Sequence, residues 1–442
     1  MPLLTRDQAQ SLIERTIRLS RADELQVSIN AGDETNIRFA DNRITTSGTA
    51  DDLSVRVASA FGARAAVTTT NDVSDEGLER AVRLSESLAR LAPENPERMP
   101  LLGTQAYRDV ESYVQGTATA TPADRARVAL TAIESAKRAG AVVAGFLTTT
   151  AGSTAIGNSK GLFAYRSSTG VDYSQTVRTP DGTGSGWAGA NHPDWRQIDF
   201  AAVSARATQK ALASRNPTAV EPGRYTVILE AQAAGDLVQL LAGSLDARSA
   251  AEGRSAWSKQ GGGTRLGEKV VDDRVTLLSD PWDPQLLSSP FDNEGLPLQR
   301  QVWIENGVLK TLPASRYWSQ RQNLTPTGQP NSLKMSGTDQ TLEQIIAGTD
   351  RGILVTRLWY IRPVNARTLL YTGLTRDGTF LVENGNVTRP VMNMRFNESP
   401  LFMLGKLDAI GAPARLSGDS NGLVVPPLRV RDFAFTSLSE AV

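Results

Sequence analysis

The first sixty residues begin with one helical stretch of apolar positions and continue with short runs in which every second residue is apolar. Thr5 can cap a helix, because the apolar residues that follow it recur every three or four positions. Apolar and polar residues then alternate over 25–29, 37–39 and 53–57, which predicts half-buried antiparallel strands. Ser74 can cap a second helix, so this part of the chain is predicted to be a small α+β unit.

A second group of helices and strands follows a stretch with three prolines, 93–105, which we expect to be an internal linker. The sequence over 121–124 supplies a capping residue, a first-turn proline and an early acid, so a helix is predicted from there to Gly140. Short strands are predicted within 143–177, and another helix over 199–214.

The chain becomes strand-rich after a segment with two prolines, 216–223, which is the predicted main domain boundary. We therefore divide it into an N-terminal α+β region, 1–220, and a C-terminal β-rich domain, 221–442. Asn-Gly pairs at 306–307 and 384–385 lie between apolar runs, and this dipeptide supplies the positive φ angles of tight hairpin turns. The predicted fold class is α+β, with mostly antiparallel strands in the N-terminal region and a curved-sheet or barrel-like C-terminal domain.

Within the C-terminal half the pattern predicts helices over 234–247 and 401–410 and a closing strand over 424–435. The first of these helices is predicted to be a core helix, because four apolar residues form one stripe on it. These residues are Leu237, Leu240, Leu241 and Leu245.

Charge and hydropathy exclude several classes of partner. Lys plus Arg and Asp plus Glu both number 47, so no global field favours nucleic acid or an anionic membrane. We find no apolar run near the ~20 residues that a membrane span needs, and no signal-peptide core at the N-terminus. The absence of cysteine fits a reducing compartment, so a cytoplasmic location is expected.

Candidate chemistry is limited by a single histidine, His192, and by the absence of cysteine. Such a chain cannot build a His/Cys zinc site of its own. The glycine-rich run 184–189 matches a dinucleotide-binding pattern by letter, but Pro193 soon after it breaks the helix that such a motif must open. We therefore expect a flexible surface loop that carries a solvated histidine. Paired-carboxylate hydrolysis stays open at this point.

Several segments together resemble the TldD/PmbA (TldE) family over nearly the whole length of the chain. No single segment is specific for this family, but the order and spacing of the segments together are specific for it. They are Tyr225–Leu229 leading into Gly235, Phe291–Gly295, Glu305–Gly307, Tyr371–Gly378, Asn397–Pro400 and Asp408–Gly411.

The resemblance also implies what has been lost. Catalytic members of the family carry a His-Glu-x-x-x-His zinc motif after the same strand, and a third ligand, cysteine, near the C-terminus. Here Gln239, Leu240 and Ser244 occupy the three motif positions, and the counterpart of the C-terminal segment, 418–422, has no cysteine. The amide of Gln239 and the neutral hydroxyl of Ser244 cannot replace two imidazole ligands. The aliphatic side chain of Leu240 cannot replace the general base. The expectation is therefore no catalytic residue, no metal ligand and no cofactor in this chain.

The resemblance predicts a zinc-free, TldE-like subunit of a cytoplasmic metallopeptidase complex that degrades unfolded or leader peptides. Its expected partners are a zinc-bearing TldD-like homologue, or a second copy of itself, and an extended peptide. Two alternatives stay open: a homodimeric peptide-binding protein without a catalytic partner, and an autonomous hydrolase with an unrecognised site. Five C-terminal aromatic residues are candidates for either the domain core or a subunit interface. They are Trp303, Tyr317, Trp318, Trp359 and Tyr360.

Overall fold

The computed structural model describes residues 3–330, 332–418 and 422–439, and within these ranges the chain forms three β-sheets. One sheet belongs to the N-terminal half, and two belong to the C-terminal half. In the described ranges no helix is both long and apolar enough to cross a membrane.

The N-terminal sheet has six antiparallel strands in the order β3-β2-β1-β4-β5-β6. Its strands are β1 (Glu24–Ala40), β2 (Arg43–Phe61), β3 (Arg64–Thr70), β4 (Val142–Asn158), β5 (Phe163–Arg178) and β6 (Ser185–His192). Apart from the long excursion between β3 and β4, neighbours in the chain are neighbours in the sheet. The antiparallel strands predicted from alternation are therefore confirmed.

Helices pack against this sheet in two groups. They are α1 (Arg6–Arg18), α2 (Asp75–Leu91), α3 (Gln115–Ala118), α4 (Pro122–Arg138) and α5 (Phe200–Ala213). Apolar residues of α1 and α2 form one buried cluster with β1 and β2, and those of α4 and α5 form another with β4 and β5. Thr5 and Thr121 are the helix caps that the sequence predicted, and each forms a reciprocal capping box with the residue three positions later.

The C-terminal half contributes thirteen strands to the described part of the chain. They are β7 (Gly223–Leu229), β8 (Leu277–Ser279), β9 (Gln301–Glu305), β10 (Val308–Leu309), β11 (Leu333–Met335), β12 (Arg351–Asn365), β13 (Leu370–Glu383), β14 (Asn386–Pro390), β15 (Met394–Glu398), β16 (Leu407–Ile410), β17 (Ala414–Arg415), β18 (Leu423–Val425) and β19 (Leu428–Leu438).

Five of these strands close into a barrel. The order is β12-β7-β19-β15-β13, and β13 pairs back with β12. The second sheet runs β10-β9-β8-β11-β18-β17. The prediction of an α+β fold with a barrel-like C-terminal domain is confirmed.

Short helices complete the C-terminal domain: α6 (Ala231–Gly243), α7 (Ala247–Ala251), α8 (Arg316–Gln322), α9 (Leu342–Ala347) and α10 (Pro400–Gly405). Helix α6 lies in the largest hydrophobic core, where Leu237 and Leu241 are fully buried among barrel strands. Both predicted hairpin turns are confirmed, because Asn306, Gly307, Asn384 and Gly385 all have positive φ.

Three predicted elements have different bounds in the structure. The helix expected over 234–247 is two helices, because α6 ends at Gly243 and the Asp246 carboxylate caps α7 by accepting from Ser249 N (2.7 Å). The helix expected over 401–410 ends at Gly405, and β16 follows it and pairs with β19. Leucines at 401, 404 and 407 repeat at helical spacing, which disguised the change to a strand.

The third difference is the predicted closing strand over 424–435, which is two strands separated by two prolines at 426–427. Proline cannot donate to a strand ladder, so the pairing is interrupted there.

The expectation of a flexible glycine-rich surface loop over 184–189 is wrong. This segment is the beginning of β6, and it is largely buried under α5. A Cβ on Gly186 would lie 2.3 Å from both the Ala207 carbonyl oxygen and the Ala211 nitrogen. Glycine is therefore used here because a helix backbone approaches the strand closely.

Candidate functional site

Helix α6 places the three motif positions in different surroundings. Gln239 is exposed, Leu240 is half-buried, and Ser244 is the C-cap residue that follows the last residue of the helix. Leu240 was expected to lie within the core stripe, but it packs against the core from outside, whereas Leu237, Leu241 and Leu245 are buried. The apolar stripe on this helix is therefore narrower than its sequence predicts.

The hydroxyl of Ser244 is already used within the protein. It donates to the Leu241 carbonyl oxygen at 2.6 Å and accepts from the indole N–H of Trp257 at 3.1 Å. The indole of Trp257 is fully buried. The side chain of Ser244 is thus part of the support of α6.

Gln239 and Leu240 line a cleft of about 530 Å³ between the two halves of the chain. One wall is formed by Ser174 and Trp187 of the N-terminal sheet, and the opposite wall by residues 357–362 of β12. The structure therefore brings two of the three motif positions to one cleft, and it places Ser244 outside the set of residues that line it.

The acidic residues next to the cleft hold its walls together. Leu358 N donates to the Asp236 carboxylate at 3.0 Å, which ties β12 to α6. Glu230, immediately before α6, forms an ion pair of 2.7 Å with Lys210 of α5 and accepts from the Thr356 hydroxyl at 3.2 Å. These carboxylates join α6 to both halves of the molecule.

The donor set on α6 does not fit zinc. Zinc sites use imidazole, thiolate or carboxylate ligands, whereas the motif positions offer an amide, an aliphatic side chain and a hydroxyl that is bonded to Trp257. Within the described ranges, no group of three or more His, Cys, Asp and Glu residues is arranged to hold a metal ion. We therefore derive no chemical step through a metal on this chain.

The segment expected to correspond to the C-terminal zinc ligand borders the same cleft. Gly418 lines it and donates its N–H to the Asp172 carboxylate at 2.9 Å. Residues 419–421 lie outside the described residues.

The single histidine is not the solvated loop residue that the sequence predicted. His192 is the last residue of β6, it is half-buried, and its Nδ1 accepts from Asp194 N at 2.9 Å. Burial lowers the pKa of His192 from its ordinary value, and the nearby Arg415 lowers it further. The expectation failed because the preceding glycines form a strand and no loop.

The five C-terminal aromatic residues divide into two kinds. Trp303 and Trp318 are buried in the domain core, whereas Trp359 and Tyr360 remain 40% and 53% exposed at the cleft. The rings of Trp359 and Tyr360 lie 5.5 Å apart. Tyr317 is half-buried.

Sequence reasoning missed Trp187 and Arg376 as parts of this region. The Arg357 guanidinium lies 4.9 Å from the ring centre of Trp187, and that of Arg376 lies 4.0 Å from the ring centre of Trp359. Arg376 is inside the run Tyr371–Gly378 that carried the family resemblance, so a signal was present without a role attached to it.

Comparisons with known families cover most of the chain. The PmbA/TldA metallopeptidase domain 1 matches residues 25–89, the central domain matches 117–215, and the C-terminal domain matches 222–437.

Individual relatives have low sequence identity to this chain and match only part of it. A metalloprotease from Methanothermobacter thermautotrophicus is 24% identical over 236 residues, which is 49% of each chain. Metalloprotease PmbA from Escherichia coli O157:H7 is 29% identical over 28% of each chain. The chain thus spans about half the length, or less, of the curated relatives it matches.

The solved structure of TldE from Thermococcus kodakarensis has the same fold. Its TM-score is 0.85 at 19% identity, over 97% of this chain and 99% of that one. Because three successive family domains match in order from residue 25 to residue 437, the chain belongs to the PmbA/TldD metallopeptidase family.

Proposed function

We propose that this chain is a zinc-free, non-catalytic subunit of a TldD/TldE-type metallopeptidase complex that acts on unfolded or leader peptides. The observation that carries the proposal is the donor set on α6. Gln239 and Leu240 face the cleft with groups that bind zinc poorly, and the hydroxyl of Ser244 is bonded to Trp257. The hydrolytic zinc would belong to a homologous partner subunit.

The proposed role of this subunit is to complete a closed chamber and to hold an extended peptide. Strand β12 pairs in parallel with β7 at Ile353, Leu354 and Val355. Further along, residues 357–362 have β13 on one side and border the cleft on the other. An extended peptide binds to such a strand edge through backbone groups, which needs no catalytic side chain.

Exposed large apolar residues on the same strand, two of them aromatic, support assembly with a second subunit. Trp359, Tyr360 and Val364 are all at least 40% exposed on the outer part of β12. Large aromatic side chains are enriched at the centres of protein interfaces. We therefore propose that this part of the hairpin formed by β12 and β13 contacts the partner.

Co-expression with a homologue that carries the His-Glu-x-x-x-His motif tests the proposal. Light scattering should give a mass equal to both chains together, with about one zinc per pair. The pair should cleave a casein-like substrate, and a chelator should stop the cleavage. Trp359→Ala should weaken capture of the homologue, whereas Phe402→Ala, which alters an exposed aromatic residue on α10, should not.

Two results would replace this proposal by one of its alternatives. Chelator-insensitive hydrolysis by the chain alone would indicate an autonomous hydrolase. Stable self-dimers that bind unfolded peptide but never capture the homologue would indicate a homodimeric peptide-binding protein.

A further inference from the structure

A recess of about 360 Å³ adjoins the cleft and contains an unusual concentration of positive charge. It is lined by Thr176, Arg178, Arg357, Trp359, Arg376 and Asp377. Arg357 and Trp359 line both the recess and the cleft, so the two spaces are contiguous. Three guanidinium groups thus share the recess with one carboxylate.

Two of the arginines face each other across neighbouring strands. Arg357 of β12 is the register partner of Arg376 of β13. Like charges directly opposite each other destabilise a strand pair, so this arrangement needs a compensating negative charge.

The carboxylate of Asp377 compensates only in part. Its Oδ2 lies 3.7 Å from Arg357 Nη1 and 3.8 Å from Arg376 Nε, which is too long for hydrogen bonds. Its Oδ1 accepts from the Ser185 hydroxyl at 2.6 Å. In the described part of the chain, the side-chain N–H groups of Arg357 and Arg376 make no hydrogen bond to protein.

An aromatic ring lies against each of these two guanidinium groups. Arg376 lies over the ring of Trp359 and Arg357 over the ring of Trp187, as cation–π contacts. A cation–π contact does not need an oxygen acceptor, and each guanidinium has five N–H donors, so donors remain for a bound acceptor. The arginines are therefore oriented before any ligand binds.

Partial burial strengthens the attraction that an anion would feel. The side chains of Arg357 and Arg376 are 27% and 22% exposed. Burial lowers the pKa of Arg376, Asp377 raises it, and the neighbouring Arg178 and Arg357 lower it again, although arginine keeps its charge. Other charged groups at or beside the cleft already have contacts within the protein: Lys210 pairs with Glu230, Asp236 accepts from Leu358 N, and Arg362 lies over the ring of Tyr360 and donates to the Ile361 carbonyl oxygen.

We infer that the recess formed by Arg178, Arg357 and Arg376 binds a carboxylate of the peptide that lies in the adjoining cleft. Arginine forks match a planar carboxylate with two parallel hydrogen bonds. The carboxylate could come from the C-terminus of the peptide or from an Asp or Glu side chain, and both present the same chemistry. This inference rests on the proposed function, and it adds that the subunit selects peptides by an anionic group.

Matched synthetic decapeptides test the inference with the full-length chain, alone and in complex with the zinc-bearing homologue. One pair differs only in a free or an amidated C-terminus, and a second pair only in an internal Glu or Gln. Calorimetry should give about tenfold tighter binding of the carboxylate form in at least one pair, the size expected for a hydrogen bond to a charged group. The pair that discriminates identifies the source of the carboxylate.

Substitutions of recess residues test whether the recess causes the preference for carboxylate peptides. Arg376→Gln should reduce the ratio of the two affinities to about one, while the amide and Gln forms bind as before. Arg178 is exposed at the edge of the recess, so Arg178→Gln should fold normally and should also reduce the ratio. The control Arg206→Gln removes an equal charge from the exposed face of α5 and should leave the ratio unchanged.

Three results would overturn the inference. The first is equal binding within both peptide pairs, and the second is a preference that survives both variants. The third is tighter binding of inorganic phosphate or a short oligonucleotide than of the carboxylate peptides. Failure of the proposed function is distinguishable, because it is read from capture of the zinc-bearing homologue: a chain that never captures the homologue contradicts the proposed function, whether or not the four decapeptides bind. Failure of the inference is read from the ratio of affinities within each peptide pair.

Discussion

The indole N–H of Trp257 donates to both oxygens of Ser244, at 3.0 Å to the carbonyl and at 3.1 Å to the hydroxyl. This pair of hydrogen bonds fixes the end of α6 against a fully buried ring. The residue at the second histidine position of the family motif therefore has a structural task in this chain. Any change at Ser244 must be judged against the loss of that support.

Restoring the motif by Gln239→His, Leu240→Glu and Ser244→His should not produce a peptidase. The C-terminal cysteine ligand would still be absent, and residues five apart on a helix lie ~140° apart. Because Leu240 is half-buried at the cleft, the new glutamate should cost less stability than one in the core, and loss of the Ser244 contacts should account for part of the cost.

Zinc content and cleavage of a casein-like substrate are the measurements for this triple variant. A variant with only Gln239→His is the matched control, since Gln239 is exposed and its replacement should leave folding unchanged. Zinc-dependent cleavage by the triple variant would show that the missing cysteine is dispensable.

The ion pair between Lys210 and Glu230 should stabilise the junction of the two halves. Both side chains are less than one-fifth exposed, so Lys210→Met leaves a half-buried carboxylate without its cation and should cost about 2 kcal/mol. Arg138→Met, which breaks an exposed pair of 4.0 Å with Glu134, should change the unfolding free energy by less than about 0.5 kcal/mol. Denaturant unfolding measures both, and equal effects would contradict the structural role of Lys210.

Gly186→Ala should destabilise the chain by about 1–3 kcal/mol, because its Cβ would meet the backbone of α5 at 2.3 Å. Gly116→Ala is the control, since a Cβ there meets nothing within 4 Å. Thermal unfolding of the two variants measures the difference. If Gly186→Ala were as stable as the wild-type chain, β6 could not lie so close to α5.

His192 should make the chain less stable in mild acid. Its pKa is lowered by burial and by Arg415 from the ordinary value of 6.5. The unfolded chain therefore takes up a proton that the folded chain does not. The stability that the neutral imidazole of His192 contributes above pH 6.5 is therefore lost as the pH falls from 6.5 to the pKa of His192 in the folded chain.

The single histidine gives one imidazole signal in a proton NMR titration, and its midpoint should lie below 6.5. His192→Gln should remove this part of the acid sensitivity in urea unfolding at several pH values. A midpoint at or above 6.5 would mean that the ring is solvated after all.

Much of the fold could be predicted from the sequence, because helix caps and tight turns depend on residues that are close together in the chain. The helix caps at Thr5 and Thr121 depend on hydrogen bonds to residues only three positions later in the chain. The Asn-Gly turns depend only on the backbone angles of their own two residues. Such signals lie within a few residues and do not depend on the rest of the chain.

Features that depend on long-range packing could not be predicted in this way. Gly186 of β6 is explained only by the approach of α5. Arg178, Arg357 and Arg376 meet because β5 of the N-terminal sheet comes close to the hairpin of β12 and β13, which is far from β5 in the sequence. The cleft has the same origin, since its walls come from both halves of the chain. The motif positions on α6 and the segment that begins at Gly418 pointed to it, through the family resemblance.

The zinc content of the purified chain tests the central claim most directly. Elemental analysis after dialysis, on chain expressed without the homologue, should give far less than one zinc per chain. About one zinc per chain retained through dialysis would contradict the account, because so tight a site needs three or four strong ligands.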